Sequence, residues 1–538
     1  MNTNELNART QIIKGTEYVF EDIPYWDKAK KQNRHRRLYI GKIGANGEFI
    51  PNKAYIARQG TTKRAEGVCG LPKTASRTYY GATRLLDEIG RLTGVEEDLK
   101  ASFPERYREI LSLVYYLVLE SDSPMHRFTR WSHDHKHPAD KEISSQRISK
   151  IMRDISEGER VFFFKRQAAK RREKEYLAYD TTSVSSWSEY IKAVRYGKNK
   201  DGDSLPQVNL ALVFGEESSL PVYYRVLPGN ITDVSTVKKL LKDVEFLEID
   251  KLKLVMDRGF YSANNINALY KGYYKFLISV RTGSAFVSEA IAAAKEVIQD
   301  FRNYDERHDV YSYSVPAKWP FVQRDRHGEV VLSEARRIYI HVYYNGNRAE
   351  EEKRRFAKSL SLTESTLVAG GELSEFQKSL CTKYLRVKTT AKRGIRVEYN
   401  EENISKYMNS VGYFVLLSND IKDSAVAIET YRKKDVVEKA FGNLKERLEM
   451  RRTTVHSDET LEGRFFLQFL ALIYVSYIHK HMSTAELYRN YTMQSLLDSL
   501  DVIELFDYEG QRSHCGEITE KQRRLFEAFG ATPPINTL

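Results

Sequence analysis

EYLAYDTTSVSSWS, residues 175–188, sets a strand-forming run, Tyr176 to Asp180, directly behind a charged segment and closes it on an acid. Downstream the texture stays strand-like. Val208 to Phe214 reads as a second strand and Pro221 to Leu227 as a third, with glycine and charged turns between them. Thr232 to Phe246 has helical spacing, with Asp233 near its start. Leu252 to Met256 is a fourth strand, and it too is followed by an acid, Asp257 in MDRGFYS, where Gly259 lets the chain turn sharply. Ser262 caps a short helix to Tyr270, and Tyr274 to Val280 is a fifth strand. The order is three strands, helix, strand, helix, strand.

That order matches the start of a ribonuclease-H-like α/β core, in which the first and fourth strands lie side by side. Asp180 at the end of the first and Asp257 after the fourth would then meet at one sheet edge. A single aspartate after a strand is ordinarily a cap or turn residue, and neither acid decides the matter alone. The third piece lies in YRKKDVVEKAFGNLK, residues 431–445. Tyr431, Lys434, Glu438 and Lys445 fall within roughly 60° of one another on an α-helix of about 100° per residue. A glutamate between lysines is usually a solvated i,i+4 face. A ring, two cations and an acid on one stripe suit a phosphate-and-metal surface better than a packing stripe. Three carboxylates so gathered can hold two divalent ions that clamp the attacking and leaving oxygens of a phosphodiester, and their hard oxygens suit Mg²⁺.

The rest of the chain surrounds these motifs. Residues 1 to 60 hold short strand-like pieces around a basic knot, KAKKQNRHRR at 28–37. Residues 80 to 175 read as helices: Leu85, Leu86, Ile89 and Leu92 recur at helical spacing, Tyr107 to Leu119 is apolar, and Ser144 caps a further helix that is either half of a helix-turn-helix or a plain packing helix. Lys165 to Lys174 carries six basic residues and one acid, a solvated face or a polyanion contact. From 282 to 425 the rhythm breaks into strand candidates (Asp309–Val315, Arg337–Tyr344, Leu385–Thr389, Ile395–Tyr399, Tyr413–Leu417) around one charged helix, Arg348 to Leu360. A long helix runs from Ala425 past Glu446, an apolar one covers Thr460 to His481, and the tail from 484 reads as helical. Lys and Arg outnumber Asp and Glu by 85 to 73 in 538 residues, a net charge of +12 that points toward a polyanion. Three scattered cysteines build neither a disulfide framework nor a zinc cluster. The polar N-terminus lacks a signal-peptide core, and the longest apolar run, Phe465 to Ile478, is short for a membrane span and contains Gln468. A soluble, cytoplasmic protein with no membrane partner is expected.

The segment from Tyr431 to Lys445 resembles the Y-(2)-R-(3)-E-(6)-K signature of cut-and-paste DDE transposases of bacterial insertion sequences, the insertion-sequence-four type. DTT at 180–182 and DRGF at 257–260 are similar to that family's first two acidic motifs, and YVFEDIPYWDKAKKQNRHRRLYIGKIGANGEFIP at 18–51 resembles the opening of one of its branches. The resemblance spans most of the chain and fades over the last 55 residues. One departure stands out: Lys434 occupies the signature arginine's place, keeping the charge and losing the bidentate fork. The resemblance implies that Asp180, Asp257 and Glu438 are catalytic and bind two Mg²⁺ ions, with Mn²⁺ able to substitute. It also implies that Tyr431, Lys434 and Lys445 contact DNA phosphates near the cleaved end. Lys30, Lys31, Arg34, Arg36 and Arg37 of the basic knot are further DNA-binding candidates. The partners implied are double-stranded transposon ends and target DNA, and a homodimer or larger synaptic complex at the bacterial nucleoid.

The organisation expected is a basic DNA-binding segment at 1–75, a helical DNA-binding or linker region at 76–174, a ribonuclease-H-like core split between 175–281 and 426–483, a β-strand-rich insertion at 282–425 that splits it, and a helical tail at 484–538. In the family such an insertion is a platform for a flipped base or hairpin end, as unstacking requires. His133, His135 and His137 lack the i,i+4 spacing of helical zinc sites. Two other readings share the fold: a DNA-binding protein that no longer cuts, which has no need of all three acids, and a structure-specific nuclease that cuts without joining.

Overall fold

The computed structural model describes residues 8–535 apart from 28–29, 45, 56–74, 122–123, 171–174, 249–251, 326, 391–393, 449 and 509–511. The chain separates into two compact units. One comprises Met1–Ser76 with Phe506–His514 and the final two residues, and the other Arg77–Leu505 with Cys515–Asn536.

In the smaller unit the strands are longer than the sequence pattern implies. β1 (Arg9–Ile13), β2 (Thr16–Asp27), β3 (Gln32–Ile43) and β4 (Phe49–Pro51) form an antiparallel meander. Lys14 and Gly15, both at positive φ, make the two-residue turn that joins the first pair. Val19, Phe20 and Ile40 are buried on a small core, the register shift between Val19 and Phe20 breaking the strand alternation there. The core stops halfway along the β2–β3 pair, so residues 23–26 and 32–37 are exposed on both faces. Such a stretch has no apolar period, which is why it reads as a basic knot rather than as strands.

The larger unit is a mixed α/β body on one wide sheet. β5 (Leu177–Ser186), β6 (Gln207–Gly215) and β7 (Pro221–Pro228) are antiparallel neighbours. β8 (Lys253–Met256) runs parallel to β5, and β9 (Lys275–Val280) runs parallel to β8. The order β7-β6-β5-β8-β9 is the ribonuclease-H-like one, with the first and fourth strands adjacent. The stretch 282–425 then departs from a β-rich insertion in two ways. β10 (Val310–Arg324), β11 (Val330–Tyr344) and β12 (Tyr413–Ser418) extend the core sheet beyond β9 instead of forming a separate body. Four helices share the segment with them: Ala285–Val297, Gly346–Val368, Glu375–Tyr384 and Glu401–Met408. β10 carries Pro316 and Pro320, tolerated near the sheet's outer edge, and these prolines mask the strand beyond Val315 although Trp319 and Phe321 are buried there.

Four helices position the site: α1 (Asp233–Phe246), α2 (Ser424–Lys433), α3 (Asp435–Glu446) and α4 (Asp458–Thr484). The single helix expected from Ala425 past Glu446 is interrupted at Lys434. There the backbone tightens to i→i+3 bonds, with the Lys434 N–H donating to Tyr431 O at 3.2 Å and the Val437 N–H to Lys434 O at 2.9 Å. α4 is long and apolar enough to cross a membrane by composition. Here it is the core, with Phe465–Ser476 buried throughout and Gln468 donating to the Leu448 carbonyl. It packs on helices Tyr107–Leu119 and Ser145–Asp154. Of the apolar quartet at 85–92, Leu85, Leu86 and Ile89 are buried and Leu92 is half exposed. The tail beyond 484 is not wholly helical: helices Met493–Asp501 and Glu520–Ala528 are joined through short strands Glu504–Tyr508 and His514–Cys515.

The basic run at 165–174 is occupied with the body where it is described. Lys165 pairs with Glu248, and Arg166 and Lys170 both pair with the buried Asp98. Residues 171–174 lie outside the described residues. His135 and His137 are structural, His135 bonded to the Trp131 carbonyl and Asp501 and His137 to the Ser112 hydroxyl.

Candidate active site

Asp180 sits in the middle of β5 rather than at its end, because β5 continues to Ser186 against β6. On the other side β8 stops early. Its register pairs Leu177 with Leu254 and Tyr179 with Met256, so the next residues, Asp180 and Asp257, stand side by side where the parallel ladder ends. β8 gives way at Asp257 to a 3₁₀ turn, Arg258–Phe260. Gly259 keeps a negative φ there, so sharp turning is not its role. A Cβ at 259 would lie 3.2 Å from Asp233 Oδ2, so the missing side chain makes room for a fourth carboxylate.

Glu438 reaches this edge from the first turn of α3. Between it and the two aspartates lies Lys434, whose side chain is 3% exposed and whose ammonium is 3.2 Å from Glu438 Oε1. Burial works against that charge, yet Asp257, Asp180 and Glu438 together hold the Lys434 pKa above its ordinary value. Burial raises the Asp180 carboxyl, against the pull of Lys200, the Thr181 N–H and Lys434. The Tyr431 hydroxyl donates to Asp257 Oδ1 at 2.5 Å, and burial, then the Asp257 charge, lift its pKa far above the usual phenol range. The Lys434 ammonium lies 5.9 Å from the Tyr431 ring centre. Tyr431, Lys434, Glu438, Asp180 and Asp257 thus form one interacting cluster.

Lys445 does not belong to it. It donates to both oxygens of Asp201, at 2.6 and 2.7 Å, in a separate polar groove of about 1220 Å³ edged by Arg451, Arg452 and Arg464. The basic-knot candidates belong to the other unit. Lys30 and Lys31 form the β2–β3 turn, and Arg34 and Arg36 are exposed on β3. Arg37 is committed, donating to Gln11 at 2.8 Å and stacked over Phe20. Lys28 lies outside the described residues.

Two residues of the site carry no sequence signal that singled them out. Lys200, in the loop after β5, lies 3.6 Å from Asp180 Oδ1 and 3.8 Å from Asp233 Oδ2. It also donates to the Thr181 carbonyl and hydroxyl oxygens, at 2.5 and 2.8 Å. Asp233, visible in sequence only as a helix-start acid, accepts from the Thr181 hydroxyl at 2.7 Å. Lys200 lies in GKNKDGD, a loop without periodicity.

A cavity of about 950 Å³ opens from Asp257 and Tyr431 toward the insertion. Arg258, Arg281, Arg348, Arg355 and Arg432 line it, with Asp257 and Glu352 as its carboxylates. Aromatic rings also line it, with the Phe356 and Tyr407 rings 4.2 Å apart. Cations and rings lining one cavity suit a phosphate backbone and a base.

The family model for the transposase DDE domain matches residues 171–474, which include both strand acids, Lys434 and Glu438. The chain belongs to the transposase DDE domain family. It is therefore a DNA transposase, an enzyme that cleaves DNA. No curated protein sequence matches it. Among solved structures it is similar to one described as the cryo-EM structure of a piggyBac transposase synaptic complex with hairpin DNA. That match has 12% identity over 77% of this chain and 70% of the other, with a TM-score of 0.33.

Carboxylate oxygens are the donor set a hard divalent ion takes. The field has the right sign, since a buried ammonium is held stably among three of the acids. Among the described residues no three acidic, histidine or cysteine side chains converge as a metal site in this conformation. The acids are turned instead toward Lys200 and Lys434. The residues fit a divalent ion in kind and charge, with the two lysines in the places such ions would contest.

Proposed function

We propose that this transposase is of the insertion-sequence-four type, and that it excises a bacterial element by cut-and-paste and joins its ends to target DNA. The observation that carries the reading is the register of β5 and β8, which sets Asp180 beside Asp257, together with Lys434 tying Glu438 to the same point. In it Asp180, Asp257 and Glu438 hold two Mg²⁺ or Mn²⁺ ions, which when bound stabilise charge on the attacking and leaving oxygens of the phosphodiester. Tyr431 orients Asp257 through its hydroxyl. Arg258 and Arg281, which line the adjoining cavity, receive the phosphates of the cleaved end, and its aromatic rings receive an unstacked base or hairpin tip. Lys445 and Arg451, Arg452 and Arg464 line the neighbouring groove for duplex phosphates. The β2–β3 ribbon of the smaller unit binds the end sequence, and two copies of the chain act on two ends.

The test uses full-length protein, duplexes carrying the element's ends, and Mg²⁺. Asp180→Asn, Asp257→Asn and Glu438→Gln each abolish cleavage and strand transfer, while end binding stays within a few-fold, because affinity comes mainly from phosphate contacts. Near-normal cleavage by any one of them removes that residue from the site. Cleavage by the wild type without joining would make the chain a nuclease rather than a transposase.

A further inference from the structure

Four carboxylates, Asp180, Asp233, Asp257 and Glu438, surround two lysines. Lys434 is inside: its side chain is almost wholly desolvated, a position an ammonium keeps only with negative charge around it. It therefore faces the acids and not the solvent from which DNA arrives. Lys200 is poised differently. Two donors are fixed on Thr181, at 2.5 and 2.8 Å, while Asp180 and Asp233 lie nearly equidistant, 3.6 and 3.8 Å away, each beyond hydrogen-bond length. A displacement of about an ångström commits it to either acid. Asp233 is fixed in place by the Thr181 hydroxyl and by the space that Gly259 leaves.

We propose that Lys200 and Lys434 are the resident counter-ions of this acidic centre, that divalent cations enter by displacing them, and that Asp233 is the seat that keeps Lys200 in the site once Asp180 is taken. The inference rests on the assignment of Asp180, Asp257 and Glu438 as the metal-holding acids. Its physical content is competition. The half-buried, adjacent Asp180 and Asp257 repel when ionised, and an ammonium relieves that repulsion as a metal ion does. The lysines offset the charge of the acids at rest, and they lower the affinity for a free ion. Metal loading is thereby coupled to whatever draws the lysines away, and a DNA phosphate is the group of matching charge.

The experiment measures Mn²⁺ binding to full-length, DNA-free protein at pH 8, by the electron paramagnetic resonance signal of free Mn²⁺ and by calorimetry. Lys200→Met and Lys434→Met should each tighten Mn²⁺ by about tenfold, as expected from removing one unit charge a few ångströms from the ion in a partly screened site. Lys434→Arg should stay near wild type. Asp233→Asn should weaken Mn²⁺ several-fold, since Lys200 then has Asp180 alone. Thermal unfolding is the second readout: Lys434→Met should melt lower than wild type without metal and gain more from saturating Mn²⁺. If Lys434→Met does not fold, Lys200→Met, whose side chain is 37% exposed in the parent, decides. Asp180→Asn and Asp257→Asn are the control on the underlying assignment, and unaltered Mn²⁺ binding in them would overturn that assignment. If they lose binding while the lysine variants bind Mn²⁺ no more tightly than wild type, the acids are the ligands and the counter-ion proposal is wrong.

Discussion

Tyr431→Phe separates two roles for the ring. The hydroxyl donates to Asp257 Oδ1 at 2.5 Å, while the ring face sits 5.9 Å from the Lys434 ammonium and packs beside Ile428. Removing only the oxygen leaves the ring and its cation contact and strips one charge-assisted hydrogen bond from Asp257. Such bonds contribute about 1.5–3 kcal/mol net, and the group is half-buried, so a loss near 2 kcal/mol is expected in urea unfolding. The catalytic effect has the same origin, because Asp257 is freed to rotate away from Asp180. A misplaced carboxylate of this kind should slow end cleavage by about 30-fold, the rate equivalent of that energy, with end binding unchanged in a gel-shift titration. Single-turnover cleavage on pre-bound ends reads the chemical step directly. Tyr431→Phe cleaving at the wild-type rate while Tyr431→Ala fails would refute the reasoning and assign the work to the ring, stacked on DNA.

Three further outcomes follow from other regions of the molecule. Glu216 is buried, and burial pushes its pKa up to about 8, so ionising it costs more in the folded chain than in the unfolded one. Stability should therefore fall as pH rises from its ordinary 4.5 to about 8 and level off above, by on the order of 5 kcal/mol, and Glu216→Gln should flatten that stretch of a melting-temperature-against-pH curve. At Gly463 a Cβ would run into the Met152 carbonyl oxygen, so Gly463→Ala should destabilise by about 3 kcal/mol, outweighing roughly 1 kcal/mol of helix propensity gained; denaturant titration checks it. Replacing Lys30, Lys31, Arg34 and Arg36 by alanine should lower end affinity and reduce the slope of log affinity against log salt by about 3, whereas Arg37→Ala, which loses its Gln11 bond and Phe20 contact, should also lower the melting temperature.

The core topology was legible because its strands are short, apolar and separated by turns, and because the acids follow or interrupt them at places the fold brings together. What the sequence hid has physical causes. β11 runs 15 residues, but its first half is exposed on both faces, and a strand without a buried face has no period to read, while in β10 Pro316 and Pro320 interrupt the strand signal ahead of the buried Trp319 and Phe321. The helix break at Lys434 is silent because Lys434 and its neighbours are ordinary helix formers. The break comes from tertiary demand, since the side chain has to reach the acids. An ideal stripe over 431–445 puts Lys445 beside Glu438 in projection, yet seven residues are about 10 Å of helix rise, enough to carry Lys445 out to Asp201 and the next groove.

The Lys434 substitution changes meaning once its surroundings are known. On a helical wheel it is a weakened arginine, a phosphate contact without the fork. In the fold it is desolvated among Asp180, Asp257 and Glu438. A guanidinium there is bulkier and an ammonium is a compact point charge, but either supplies the unit charge that offsets the acids. The same pairing recurs at Lys200 between Asp180 and Asp233, from a different stretch of the chain and with no motif to announce it. Two cations independently delivered to one set of carboxylates follow from the electrostatic cost of holding Asp180 and Asp257 in register on adjacent strands. The sequence shows the acids that create that cost, and only the assembled sheet shows which lysines answer it.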